Sequence, residues 1–137
     1  MKKVLALLLV LLLAGIPAFA ESFVVHVTAY CYDPNHVGSK WEGRYFIGDT
    51  EVKDGDIVQL YEGEYDFTSE IGEYDSTPDI GSYTSRYNVT PTRLSRGFTV
   101  KQTVQVYENS GYYKNYWTEW FVEIDFVAVE GAVYVLD

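Results

Sequence analysis

Apolar and polar side chains alternate with a period of two along much of this chain, beginning at Phe23. Phe23, Val25, Val27, Ala29 and Cys31 share one parity and the residues between them the other. In an extended strand successive side chains point to opposite faces, so Phe23 to Tyr32 is predicted as a first strand with one buried face. The same reasoning gives strands over Trp41 to Ile47, a short piece at Glu51 and Val52, Ile57 to Leu60, and Tyr65 to Ile71. Further strands follow over Ser82 to Val89, Phe98 to Tyr107, Tyr116 to Ala128 and Ala132 to Leu136. Within Tyr65 to Ile71, Tyr65, Phe67, Ser69 and Ile71 face the core. Within Phe98 to Tyr107 the inward row is Phe98, Val100, Val104 and Val106, interrupted by Gln102. In the last long strand Tyr116, Trp120, Val122, Ile124 and Phe126 form the expected core face.

Between these runs stand Gly, Asp, Asn and Pro, the residues that turn a chain. Gly48 with Asp49 and Asp54 with Gly55 mark hairpin turns, because glycine accepts the positive φ that such turns require. Thr90 followed by Pro91 predicts one capped helical turn. No other segment past the N-terminus carries helical periodicity. Short alternating strands punctuated by turns predict an all-β fold, a two-sheet antiparallel β-sandwich of about eight strands.

The N-terminus follows a different pattern. Lys2 and Lys3 precede an apolar run from Val4 to Leu13, and the small-residue triplet Ala18, Phe19, Ala20 follows. That is the grammar of a secretory signal with cleavage after Ala20. The apolar run is shorter than the roughly 20 residues of a membrane span, so no transmembrane span is expected in the mature form. Residues 1–20 are therefore read as a signal peptide and 21–137 as a single domain, secreted or held at the cell envelope. No repeat or linker divides the latter.

Composition narrows the partners. The chain carries 10 basic and 20 acidic residues, a net charge of −10, and removing the signal takes away two lysines and no acid. Nucleic-acid binding needs clustered Lys and Arg, so nucleic acid is not an expected partner. An anionic membrane is disfavoured unless a bound cation reverses the local sign. The lone Cys31 allows no intrachain disulfide; its parity with Val27 and Ala29 gives it the place of a small buried hydrophobe.

The segment from Glu73 to Gly81 gathers Glu73, Asp75 and Asp79 between two predicted strands, with no basic residue among them. Crowded carboxylates are relieved by protonation, by a basic partner or by a cation, and hard oxygen donors are what calcium takes. Asp33, in the loop after the first strand, is placed to converge on the same point. These four acids are the expected calcium ligands, Asp75 and Asp79 foremost.

The order here, a strand leading to Glu73-x-Asp75, a short gap, then Asp79, Ile80 and Gly81, resembles the calcium-binding loop of the C-two domain. That family is a calcium- and phospholipid-binding β-sandwich. The resemblance implies a C-two-like sandwich in which this loop and an earlier one, supplied here by Asp33, hold calcium at one end. The gap between Asp75 and Asp79 is shorter than the family's and the early loop offers one clear acid, which implies one ion. An immunoglobulin-like sandwich fits the strand pattern as well.

A second constellation is aromatic. Tyr112, Tyr113, Tyr116, Trp117 and Trp120 crowd one loop and the start of a strand. With Tyr116 and Trp120 assigned to the core, Trp117, Tyr112 and Tyr113 are the rings expected at the surface, where flat faces with polar tips suit a glycan or a protein. Catalysis is not expected: His26 and His36 have no nucleophile arranged around them, and the acid pairs Glu62 with Glu64 and Glu123 with Asp125 sit at strand spacing on polar faces. The sequence thus reads as a non-enzymatic binding module. Its first form is calcium-dependent, and its alternative is a metal-independent glycan- or protein-binding module of the envelope. The partner is a protein, glycan or lipid surface.

Overall fold

The computed structural model describes residues 20–129. Most of the signal segment and the expected closing strand from Ala132 to Leu136 lie outside the described residues. Among the described residues the strands are β1 (Ala20–Tyr30), β2 (Trp41–Ile47), β3 (Thr50–Val52), β4 (Ile57–Tyr61), β5 (Gly63–Glu73), β6 (Asp79–Val89), β7 (Phe98–Tyr107) and β8 (Trp117–Ala128), with one short helix, α1 (Pro91–Arg96). They form two four-stranded sheets, ordered β4-β1-β8-β7 and β3-β2-β5-β6. Every pairing is antiparallel. The expected all-β sandwich of about eight strands is the observed architecture, with eight strands among the described residues. Ala20 already belongs to β1, opposite Tyr61.

The inward rows are those that alternation marked. Phe23 and Val25 of β1, Phe67 and Ile71 of β5, Val100, Val104 and Val106 of β7, and Val122, Ile124 and Phe126 of β8 are buried together. Each such side chain contributes about 1.5–3 kcal/mol by leaving water. Gln102 breaks the row of β7 without leaving an unmet group: its amide nitrogen donates to the Phe67 carbonyl at 2.9 Å and to Ser85 Oγ at 2.8 Å. Its amide oxygen accepts from Ser69 Oγ at 2.5 Å. A buried polar side chain bonded this way ties the two sheets in one register.

Helix α1 closes one end. Thr90 caps it by accepting from the Arg93 N–H, Pro91 takes the first turn, and Leu94 drops into the core. Beneath it Phe23, Phe67, Phe98 and Phe126 pack ring on ring, Phe98 and Phe126 at 4.6 Å between centroids.

The two long sides of the sandwich differ. Edge strands β6 and β7 meet closely: a Cβ added at Gly81 would collide with the Gln105 carbonyl oxygen, so only glycine fits there. On the other side β3 and β4 stand apart, and Ile47, Val52, Val58 and Leu60 line an open cleft of about 570 Å³.

Three expected boundaries move. β5 runs on through Glu73 and β6 starts at Asp79, so the expected acidic loop shrinks to residues 74–78, with Glu73 directly opposite Asp79 in the ladder. β8 starts at Trp117, which leaves Tyr116 in the preceding loop and exposed instead of in the core. β1 ends at Tyr30, and Cys31 just beyond it is only partly buried.

Candidate functional site at the loop end

Opposite α1, three connections gather: residues 31–40 between β1 and β2, 74–78 between β5 and β6, and 108–116 between β7 and β8. They are joined by backbone bonds from Tyr74 N to the Lys40 carbonyl at 2.8 Å and by a bond between Thr77 Oγ1 and Ser110 Oγ at 3.0 Å. All the residues expected to bind an ion or a partner lie at this end.

The four acids have separate tasks. Glu73 is completely buried, and its carboxylate accepts from three backbone N–H groups, those of Ser39 and Lys40 on Oε1 and of Asp75 on Oε2. It fastens the β1–β2 loop to the end of β5. Gly38 is what lets that loop come so close, since a Cβ there would strike the Glu73 carboxyl. Asp75 is exposed and accepts from Thr77 N at 2.8 Å, an Asx turn. Asp33 is exposed too and accepts from Asn35 N at 2.9 Å. Among the described residues no three His, Cys, Asp or Glu side chains converge on a point that could hold a metal ion.

Asp79 differs from the other three. It is 1% exposed; Oδ1 accepts from Asn109 N at 2.8 Å, while Oδ2 is buried with no hydrogen-bond donor. Burial pushes its carboxyl above the ordinary aspartate range against the pull of the Asn109 N–H, and the neighbouring Glu108 and Asp75 push in the same direction as burial. Glu108, the residue after β7, is nearly buried and accepts from Ser110 N and Oγ. Glu108 lies outside the set of acids expected from the sequence. Its signal was parity: it continues the inward row Val104, Val106, just as Glu73 continues Ser69, Ile71.

The aromatic residues form the exposed part of this end. Tyr113 stacks flat on His36, with centroids 4.2 Å apart and planes 7° from parallel, and Tyr116 leans on both. Tyr112 stands 92% exposed with its edge against Tyr113. Trp117 is half-exposed beside Tyr107 on the outer face of β8 and β7. Tyr30, Tyr32 and Phe121 make a second group of rings on the same face, at 5.5–6.0 Å between centroids. Trp117, Tyr112 and Tyr113 are thus at the surface as expected, and Tyr32 and Phe121 are rings that the sequence reading did not single out. Trp120 turns inward against Trp41 at 4.9 Å.

Two open clefts lie among these rings. One, about 440 Å³, is bounded by Tyr32, Trp117 and Phe121 with Asp33, Asn35 and Glu119 between them. The other, about 430 Å³, runs along His36 and Tyr113 and shares Asp33 and Asn35 with the first. The larger cleft at the β3–β4 side has less to offer chemically. Its wall is mostly apolar, and its acids Glu64 and Asp66 are both engaged by Arg86.

The backbone here is unusual. Among the described residues three non-glycine side chains sit at positive φ, Asn35 at 49°, His36 at 64° and Asn115 at 73°. All three are in the two loops that carry the rings. The conformation is held by Asn35 Nδ2 donating to the Trp117 carbonyl at 2.8 Å and by Asn115 N donating to the Glu108 carbonyl at 2.9 Å. His26, on the outer face of β1, lies 3.6 Å from Asp54 at the opposite end.

No family model, curated protein or solved structure matches this chain. The functional reading therefore rests on the site.

Proposed function

We propose that this chain is an exported, non-enzymatic binding module that engages its partner through the aromatic loop end of the sandwich. The observation that carries the reading is the set of exposed rings held at that end, Tyr113 stacked on His36, Tyr112 against Tyr113 and Trp117 beside Tyr107. Asn35 and His36 form the centre of a turn closed by Val37 N donating to the Pro34 carbonyl at 2.9 Å, with the positive φ at both positions that a type I′ turn requires. Together these residues hold the His36–Tyr113 stack and fix the loop against Trp117, so the rings are presented in a set geometry with little ordering left to do on binding.

The test is adsorption of the labelled domain to envelope and extracellular fractions of the source cell. A Tyr113→Ala/Trp117→Ala variant with an unchanged melting temperature is expected to lose adsorption. Full adsorption by that variant would sink the proposal.

The buried, donor-free Oδ2 of Asp79 beside Glu108 supports a second reading, in which calcium stabilises the same end. Here Asp79 and Glu108 are the ligands, with Asp75 reached by movement of its loop, and Glu73 stays occupied by backbone. A cation bound only by the native state raises the melting temperature by mass action. A melting temperature indifferent to millimolar calcium, together with no heat of binding, counts against this reading.

A further inference from the structure

We infer that the cleft between Tyr32 and Trp117 is a subsite for a neutral polysaccharide; this rests on the binding-module reading and names its ligand. The rings supply flat apolar faces. Tyr32 is 85% exposed and is propped edge-on by Tyr30 and Phe121, at 5.9 and 6.0 Å between centroids. Trp117 lines the same cleft. A pyranose ring presents C–H groups on its faces and hydroxyls around its edge, and exposed Tyr and Trp, apolar in body and polar at the tip, match that division.

The polar groups between the rings are acceptors with capacity to spare. Asp33 has one oxygen on the Asn35 N–H, and Glu119 has one on the Gln105 amide at 3.3 Å; among the described residues the second oxygen of each has no donor and can accept from a sugar hydroxyl. The size, about 440 Å³, falls in the range of roughly 300–1,000 Å³ for small-ligand sites. The cleft is open, and it continues past Asp33 and Asn35 into the His36–Tyr113 cleft. A chain can therefore lie across both, which favours a polymer over a free monosaccharide.

Charge selects the kind of polymer. Among the described residues no Lys or Arg lines either cleft, carboxylates do, and the protein carries −10 overall. Uronic acids, sulfated sugars and phosphate-bearing polymers are repelled.

Affinity electrophoresis tests the inference, with the intact domain run through gels containing a soluble β-glucan, a galactomannan or an arabinoxylan, and polygalacturonate as the acidic comparison. Retardation is expected in at least one neutral gel and none in polygalacturonate. Tyr32→Ala and Trp117→Ala should each weaken it about tenfold while leaving the far-ultraviolet circular dichroism unchanged, and Glu119→Gln should weaken it by less. Retention of full retardation in both ring variants, equal retardation by polygalacturonate, or none in any neutral gel overturns the inference. The adsorption assay separates the two proposals. Adsorption that needs the rings, survives periodate oxidation of the fractions and is abolished by protease overturns the glycan and leaves the binding module. Adsorption indifferent to the rings removes both.

Discussion

The two ends of this sandwich use aromatic side chains in opposite ways. Under α1, Phe23, Phe67 and Phe126 are fully buried against Phe98, and their contact is with each other. At the loop end Tyr32, Tyr112, Tyr113 and Trp117 are exposed, and their support comes from polar backbone contacts and edge-on neighbours. Phenylalanine fills the first set, while tyrosine and tryptophan, whose polar tips tolerate water, dominate the second. The difference is between residues that stabilise the fold and residues that the fold stabilises. Stability and binding should therefore respond to different substitutions.

The largest effect that can break this comparison is expected at Phe67. Phe67→Ala should cost about 3–5 kcal/mol, a fall in melting temperature of about 15 °C or more, with adsorption per folded molecule intact. A loss of adsorption at temperatures where the variant is folded would mean that the two ends are coupled. Next comes Glu73→Ala, which leaves three backbone N–H groups without their acceptor and should cost about 3 kcal/mol. Thermal melting measures it. Glu73→Gln should recover part of the loss through its remaining carbonyl oxygen.

Asp79 gives a smaller effect with a sign that depends on pH. Its carboxyl is raised in the folded state, so its contribution to stability is present below the unfolded aspartate pKa and is lost as pH rises through the folded one. Asp79→Asn should thus melt higher than the parent at neutral pH, by an advantage that shrinks as the pH is lowered. An advantage that is constant with pH would show that the cost of burying the Asp79 charge is not its origin. The smallest stability effect is expected at Tyr113, where Tyr113→Ala should change stability by less than about 1 kcal/mol while adsorption falls.

Strand parity made the core legible. The rows Phe67, Ser69, Ile71 and Val122, Ile124, Phe126 were assigned from alternation and are buried. The ends of those rows were harder to read, for a physical reason. Turn-forming residues in the acidic stretch pointed to a loop, but the β5–β6 ladder holds to Glu73 and Asp79 because the Glu73 carboxylate is satisfied by a loop distant in sequence. Tyr116 was placed inside by the same parity that placed Val122 correctly; the parity fails because β8 has not yet begun at that residue. Trp117, Tyr112 and Tyr113 were legible as surface rings, whereas Tyr32 and Phe121 become a site only once β1 and β8 lie side by side. That β1–β8 pairing bridges a separation in sequence over which local pattern carries no information.

Gly81 gives the molecule a direction of opening. With no side chain between β6 and the Gln105 carbonyl, that flank acts as the spine of a book, and the short strands β3 and β4, separated by their apolar cleft, are the page edges. Partial unfolding is expected to begin at the page edges, so that backbone amides of β3 and β4 exchange with solvent deuterium well before those of β6 and β7.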